Sequence, residues 1–246
     1  MERNRIKFEF LVHDLKVPLA VIEAGIVSLL QKTEKYGPLT EKQTKVLERA
    51  LRNTIITRTL VNDALEIGRS SLGIVNKSIS SLSRFVVETF VEILDLSDHD
   101  IAEAVKGCIT FGDLTRAVAE KDIYLECEES LWNKELFLDE GKIRQILRNL
   151  LINALKYRKS RLDLRIELSG NSLRMAVRDD GEGIPSSYQQ KIFECYFQLD
   201  AKSNTCVRGH GLGLAGVQVL LEDMGGQLLL DSDTGKGATF SVMIPL

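Results

Sequence analysis

Seven apolar residues, Phe8, Val12, Leu15, Leu19, Ile22, Ile26 and Leu29, are separated by alternating steps of four and three. That spacing is the a and d seam of a helical bundle, so it predicts a helix over about residues 5–31 whose stripe must be covered by another helix. The stretch KTEKYGPLTEKQ holds a Gly-Pro pair and sets Thr40 as an N-cap, which predicts a turn and a second helix over about residues 41–69. The second seam, through Leu47, Leu51, Val61 and Leu65, is looser and is interrupted by Thr54 and Arg58. Helices of this length reach about 40 Å at 1.5 Å per residue. A lone hairpin leaves such a stripe half covered, so two copies are expected to form a four-helix bundle.

Past SSLG (70–73) the pattern changes. Apolar clusters near 85–94 and 114–125 predict helices separated by LSDHDIAEAVKG. From Leu136 onward the reading is a strand at LFLD, a helix over 140–157, alternating strands at DLRIEL and SLRMAV, and helices near 186–194 and 213–224. A hairpin pairing QLLLDS with ATFSVMI around DTGKG closes the chain. Strands interleaved with helices after an all-helical start place the protein in the α+β class. The 32 basic and 35 acidic side chains give no electrostatic reason to expect nucleic acid as a partner. Acids interrupt every apolar run well short of the roughly 20 residues of a membrane span. Four cysteines, Cys108, Cys127, Cys195 and Cys206, lack metal spacing and disulfide density, which suggests a reducing, cytoplasmic setting.

Four clusters carry chemistry. Val12 is an a position, so His13 falls at b and faces outward beside Asp14. Pro18 then removes the hydrogen bond that its N–H would make to the Asp14 carbonyl, loosening the turn that holds the pair. In RQILRNLLINALKY, Ile143, Leu147, Leu150 and Ala154 form a buried stripe, while Gln145, Asn149, Asn153 and Lys156 share a polar face. Amide oxygens suit a hard cation and an ammonium suits phosphate, although a plain solvated face has the same pattern. In VRDDGEGIP, Asp179 is an acceptor at a strand end, and Gly181 and Gly183 permit close approach of backbone to a ligand. In RGHGLGLAG, Gly209, Gly211 and Gly213 open a helix whose free N–H groups favour an anion.

These clusters, in this order, resemble the boxes of the sensor histidine kinases of two-component signalling over nearly the whole chain. HDLKVPL is similar to the phosphoacceptor box, NLLINALKY to the N box, DDGEGI and GHGLGL to the two glycine boxes, and IFECYFQ to the aromatic box. The resemblance implies residues 1–73 as a dimerisation and phosphoacceptor domain and 74–246 as an α/β-sandwich ATP-binding domain. It implies that His13 is autophosphorylated from ATP and passes the phosphoryl group to an aspartate of a response regulator receiver domain. Asp14 would accept the ring N–H, Asn153 would hold Mg²⁺, Asn149 and Lys156 would meet phosphates, and Asp179 would take the adenine amino group. The implied nucleotide set also contains Tyr157, Gly181, Gly183, Arg208, Gly209, Gly211, Leu212 and Gly213, with a lid over about 195–208.

Some positions depart from the family pattern. Val17 stands one turn after His13, where many members carry Thr or Asn to hold a hydrolytic water; one expectation is a kinase with weak phosphatase activity, the other that Val17 packs against the partner or the ATP-binding domain. His210 replaces the usual Thr or Ser, and Cys195 and Cys206 flank the lid. The region before the N box is longer than usual, which implies an insertion near 95–112. A homodimer is expected, with the sensor module supplied from outside these residues. Two rivals share the ATP boxes: a gyrase- or chaperone-type ATPase, which has no use for His13, and a pseudokinase scaffold that binds nucleotide or a response regulator without phosphotransfer.

Overall fold

The computed structural model describes residues 2–70, 75–95, 98–194 and 213–246, the side chains of 2–14, 56, 59, 60 and 62–70 excepted. The chain divides into two compact units, residues 1–72 and 73–246.

In the first unit α1 (Glu2–Gln31), the single turn α2 (Thr33–Tyr36) and α3 (Glu41–Ser70) make a helical hairpin. The helix continues through Pro18. Thr40 starts α3 by a reciprocal cap: its hydroxyl accepts from the Gln43 N–H at 3.3 Å, and Gln43 Oε1 accepts from the Thr40 N–H at 2.9 Å. On the α1 seam Ile26 is buried, but Leu15 and Ile22 remain 42% and 49% exposed. One hairpin therefore does not cover its own stripe. The polar interruptions of α3 are satisfied within the hairpin, since Arg58 meets Glu23 at 2.8 Å and buried Thr54 donates to the Ala50 carbonyl at 3.0 Å.

The second unit is α+β. It runs β1 (Ser78–Ser81), α4 (Leu82–Leu94), α5 (His99–Lys106), α6 (Phe111–Ala119), β2 (Ile123–Cys127), α7 (Glu129–Trp132), β3 (Glu135–Leu138) and α8 (Glu140–Tyr157). There follow β4 (Leu162–Ser169), β5 (Ser172–Asp179), a 3₁₀ turn (Lys191–Phe193), α9 (Gly213–Asp223), β6 (Gln227–Ser232) and β7 (Ala238–Pro245). The main sheet has the order β2-β4-β5-β7-β6, with β2 parallel to β4 and the other pairs antiparallel; β1 and β3 form a separate antiparallel ribbon. Period-two alternation sends Leu162, Leu164, Ile166, Leu173, Met175 and Val177 into the core beneath α8 and α9. The intervening Arg165, Glu167 and Arg174 pair with one another on the opposite face.

Three expectations need correction. Residues 114–125 are not one helix: Asp122, at φ +53, ends the helical path, and IYLEC then alternates as an edge strand. LSDHDIAEAVKG is not a plain separator but α5, capped by the Asp98 carboxylate and anchored by buried Ile101, Ala102 and Val105. Over 186–194 a run of turns and the 3₁₀ turn replace the expected helix: most of the local backbone bonds are of the i to i−3 kind, as in Tyr188 N–H to the Pro185 carbonyl, and the Gln189 side chain reaches out to the Ser232 carbonyl.

Helices α4 and α8 run parallel, as their ion pairs advance in step: Arg84 with Glu140, Glu88 with Arg144 at 2.7 Å, Glu92 with Arg148 at 3.8 Å. These pairs are partly solvated and orient more than they stabilise. The buried pair is Lys142 with Asp223, 2.5 Å apart, joining the first turn of α8 to the last residue of α9. Removing one member strands a buried charge, so Lys142→Met should cost about 3 kcal/mol or more in urea unfolding. Adding Asp223→Leu should recover most of that loss.

Candidate active site

Helix α8 is the arm of the site. Asp139 caps it with both oxygens engaged: Oδ1 accepts from the Lys142 N–H at 3.1 Å and Oδ2 from the Asn76 N–H at 2.8 Å. Ile143, Leu147, Leu150 and Ala154 are buried, which turns the opposite face toward the rest of the site. Asn149 is buried too, and its Nδ2 donates to the Gly213 carbonyl at 3.3 Å, tying α8 to the first residue of α9. One turn on, half-buried Asn153 makes no side-chain hydrogen bond among the described residues. Lys156 Nζ lies 2.9 Å from the hydroxyl of exposed Tyr157, beside the C-terminal end of the helix.

That helix end meets the end of β5. Asp179 is buried, and its Oδ1 accepts from the Gly181 N–H at 2.9 Å. Burial pushes the Asp179 carboxyl above the usual range despite bonds from the Gly181 and Ala238 N–H groups, and the neighbouring Asp180 adds to the rise. Asp180 behaves oppositely. Partial desolvation opposes its ionisation, but hydrogen bonds from Ser160 and from the Lys159 and Arg161 N–H groups hold its carboxyl well below the usual range. Asp180 thus fastens the loop after α8 to the loop after β5, while Asp179 is held by the Gly181 and Ala238 N–H groups at the end of β5.

The glycines here allow close approach of the protein's own backbone segments to one another. A Cβ on Gly181 would stand 2.2 Å from the Tyr157 carbonyl oxygen, and one on Gly183, at φ +69, 1.9 Å from that of Asp233. The sequence reading missed Gly237, at φ +81, whose Cβ would lie 2.0 Å from the Asp179 carbonyl oxygen. Its signal was present in DTGKG, which was taken only as a turn.

His13 and Asp14 lie on α1 of the helical unit, and their side chains are outside the described residues. Also outside are Arg208, Gly209, Gly211 and Leu212, together with His210, Cys195 and Cys206. Gly213 is described, as the opening residue of α9. Burial raises both described thiols, Cys108 and Cys127, the latter to about 11, which leaves them protonated and unreactive at neutral pH.

The C-terminal unit therefore gathers Lys156, Tyr157, Asp179 and Gly181 where the end of α8 meets the end of β5, with Asn153 one turn earlier, Asn149 at mid-helix beside the start of α9 and Gly183 against Asp233. A buried acceptor, free amide oxygen and an ammonium on adjoining elements suit a purine, a hard cation and phosphate in that order. Among the described residues no three His, Cys, Asp or Glu side chains form a metal cluster. The one amide oxygen that Asn153 offers fits a magnesium ion whose other ligands are phosphate oxygens and water.

Residues 138–246 match the family model of histidine kinase-, DNA gyrase B-, and HSP90-like ATPases. The chain is 31% identical over 98% of its length to the circadian input-output histidine kinase CikA of Synechococcus elongatus, of which it covers 30%. It is 30% identical over 97% of its length to the signal transduction histidine-protein kinase BarA of Escherichia coli, covering 24% of that protein. The chain thus spans less than a third of either relative. In fold it is similar to full-length ShkA, crystallised in complex with AMPPNP, with a TM-score of 0.65 at 24% identity over 97% of this chain and 45% of that one. The histidine kinase AdeS of Acinetobacter baumannii gives a TM-score of 0.56 at 17% identity, over 95% and 97% of the two chains.

Because Gly181 and Gly237 have protein backbone where a side chain would go, Gly181→Ala and Gly237→Ala should each destabilise the fold by about 3 kcal/mol, read by thermal or urea unfolding. Gly235→Ala is the control for backbone strain at Gly237, since it has a similar positive φ (+84) but open space around it, whereas Gly181 has no positive φ and tests the contact alone.

Proposed function

Because the chain belongs to the sensor histidine kinases, with its ATPase domain over residues 138–246, we propose that it uses ATP to phosphorylate His13 and then phosphorylates a response regulator. The observation that carries the reading is the Asp179 corner: a buried carboxylate set against the amide and ammonium face of α8, inside a domain that matches an ATPase family.

In this reading Asp179 accepts from the adenine amino group, and Asn149, Lys156 and the glycine box around Arg208, Gly209, Gly211, Leu212 and Gly213 hold the phosphates. Asn153 would hold Mg²⁺, which neutralises phosphate charge when bound. Tyr157 keeps the Lys156 ammonium at the mouth of the site. A neutral His13 attacks with one ring nitrogen; the N–P bond forms as the γ-phosphorus separates from the bridging oxygen, and ADP leaves with that electron pair. Asp14 accepts the hydrogen bond of the other ring N–H and stabilises the imidazolium that results. Little further covalent chemistry is needed, since positioning and charge neutralisation carry phosphoryl transfer.

The uncovered α1 seam supports a homodimer, with Leu15 and Ile22 as the residues a second copy would bury. The acceptor of the phosphoryl group would be a receiver-domain aspartate, and a sensor module would feed the N-terminal hairpin. No helix among the described residues is long and apolar enough to cross a membrane.

Two measurements test this reading. With γ-labelled ATP and Mg²⁺, the chain should acquire label that is lost in acid and kept in base, and His13→Gln should acquire none. ATP binding without label in the unaltered chain would overturn the kinase reading in favour of a nucleotide-binding scaffold. Val17, 55% exposed, has no packing need to be apolar and cannot orient water. Val17→Thr should therefore raise dephosphorylation of the response regulator; an unchanged rate would show that Val17 does not limit phosphatase activity.

A further inference from the structure

The segment after Gly183 owes its path to one side chain. Half-buried Gln189 donates from Nε2 to the Ile184 carbonyl at 3.0 Å and to the Ser232 carbonyl at 2.8 Å. Both partners are acceptors, which identifies the contacting atom as the amide nitrogen. The Ser232 hydroxyl extends the connection: it accepts from the Ile184 N–H at 2.8 Å and donates to the Gly237 carbonyl at 2.8 Å. Gly237 is the residue whose absent Cβ lets the chain pass against the Asp179 carbonyl, and Gly235 N–H donates to the Glu182 carbonyl at 2.6 Å. Hydrogen bonds thus link Ile184, Gln189, Ser232 and Gly237, and the chain connects Ile184 back to Gly181, which bonds Asp179, while Gly237 packs against the Asp179 carbonyl.

Apart from Asp179 itself, only Gln189 and Ser232 take part through their side chains. A leucine at 189 would fill similar space but leave two carbonyls without their donor, so the amide is present for its N–H groups. What these bonds and contacts enclose is the backbone on both sides of Asp179. A buried carboxylate discriminates a purine amino group from a carbonyl oxygen at the same ring position only while it is held in place. If it can swing aside, the repulsion between two acceptors is relieved and the wrong base is tolerated.

We infer that Gln189, together with Ser232, is a positioning residue for purine selection: it holds Asp179 so that the site prefers a 6-amino over a 6-oxo purine triphosphate. The inference rests on the reading of Asp179 as the adenine acceptor. A purely structural role for Gln189 would weaken all nucleotides alike, whereas a positioning role changes the ratio between two that share the same phosphates.

The test is calorimetric titration of the full chain with ATP and with inosine triphosphate, below the unfolding temperature of each variant. In Gln189→Leu, ATP affinity should fall about threefold to tenfold, the range of one or two lost neutral hydrogen bonds, and the preference over inosine triphosphate should fall by a similar factor. Ser232→Ala should shift the ratio in the same direction, and it carries the test alone if Gln189→Leu does not fold. Equal weakening of both nucleotides, or no change, overturns the inference. Asp179→Asn separates the two levels: if it leaves the ratio unchanged, the adenine reading fails and the inference with it. If it collapses the ratio while Gln189→Leu and Ser232→Ala preserve it, the inference alone fails.

Discussion

The carbonyl oxygen of Tyr157 occupies the space that a side chain at position 181 would need. On this approach of the end of α8 to the end of β5 the rest of the site depends. It joins two sets of groups that differ in kind: the amide and ammonium face of a helix, and a carboxylate at the end of a strand. Asp180 secures the same junction from the other side through Lys159 and Ser160. The β6–β7 turn then closes behind it, with Gly183 against Asp233 and Gly237 against Asp179. Three glycines at backbone contacts let three segments converge where any Cβ would hold them apart.

The helical elements with long, strong periodicity were legible in the sequence. The α1 seam and the α8 stripe each repeat over several turns, and the buried residues on α8 fall where the spacing put them. Local signals also held where one residue decides, as with the Thr40 cap of α3. The misreadings share a different cause. Over 114–125 an apolar cluster suits helix or strand equally, and the left-handed Asp122 that divides them has no composition signal. Helix α5 is only eight residues, too short for periodicity to speak, and its Asp98 cap sits in a run of acids that reads as loop. Over 186–194 the chain closes in short turns, and the Gln189 side chain adds a bond to Ser232, a partner 43 residues away that no local pattern announces.

The same distinction applies to the site. Residue types showed what α8 and the glycine segments could bind, because amides, ammonium and carboxylate have intrinsic preferences. They did not show that the glycines approach protein carbonyls, because that depends on a tertiary neighbour. Nor did they show the Lys142–Asp223 pair, which spans the ends of α8 and α9 and gives the two helices a fixed relation while Asn149 ties them again at Gly213.

Asp179 and Asp180 are adjacent in sequence yet held in opposite protonation preferences, and this separates a fastening group from a working one. A carboxyl lowered in the fold, as Asp180 is, lends stability above the ordinary carboxylate pKa and loses it as pH falls through the lowered value. A carboxyl raised in the fold, as Asp179 is, favours folding at pH below its unfolded pKa and loses that contribution as pH rises through the raised value. The charged form of Asp179 is thus opposed by the fold, because burial outweighs the few donors that face it. On the reading of Asp179 as the adenine acceptor, a ligand N–H would supply a further donor to this carboxylate, and part of the binding free energy would come from that added partner. A rigid surround is the condition for this, because a corner free to relax would turn the carboxylate toward water and give up the advantage.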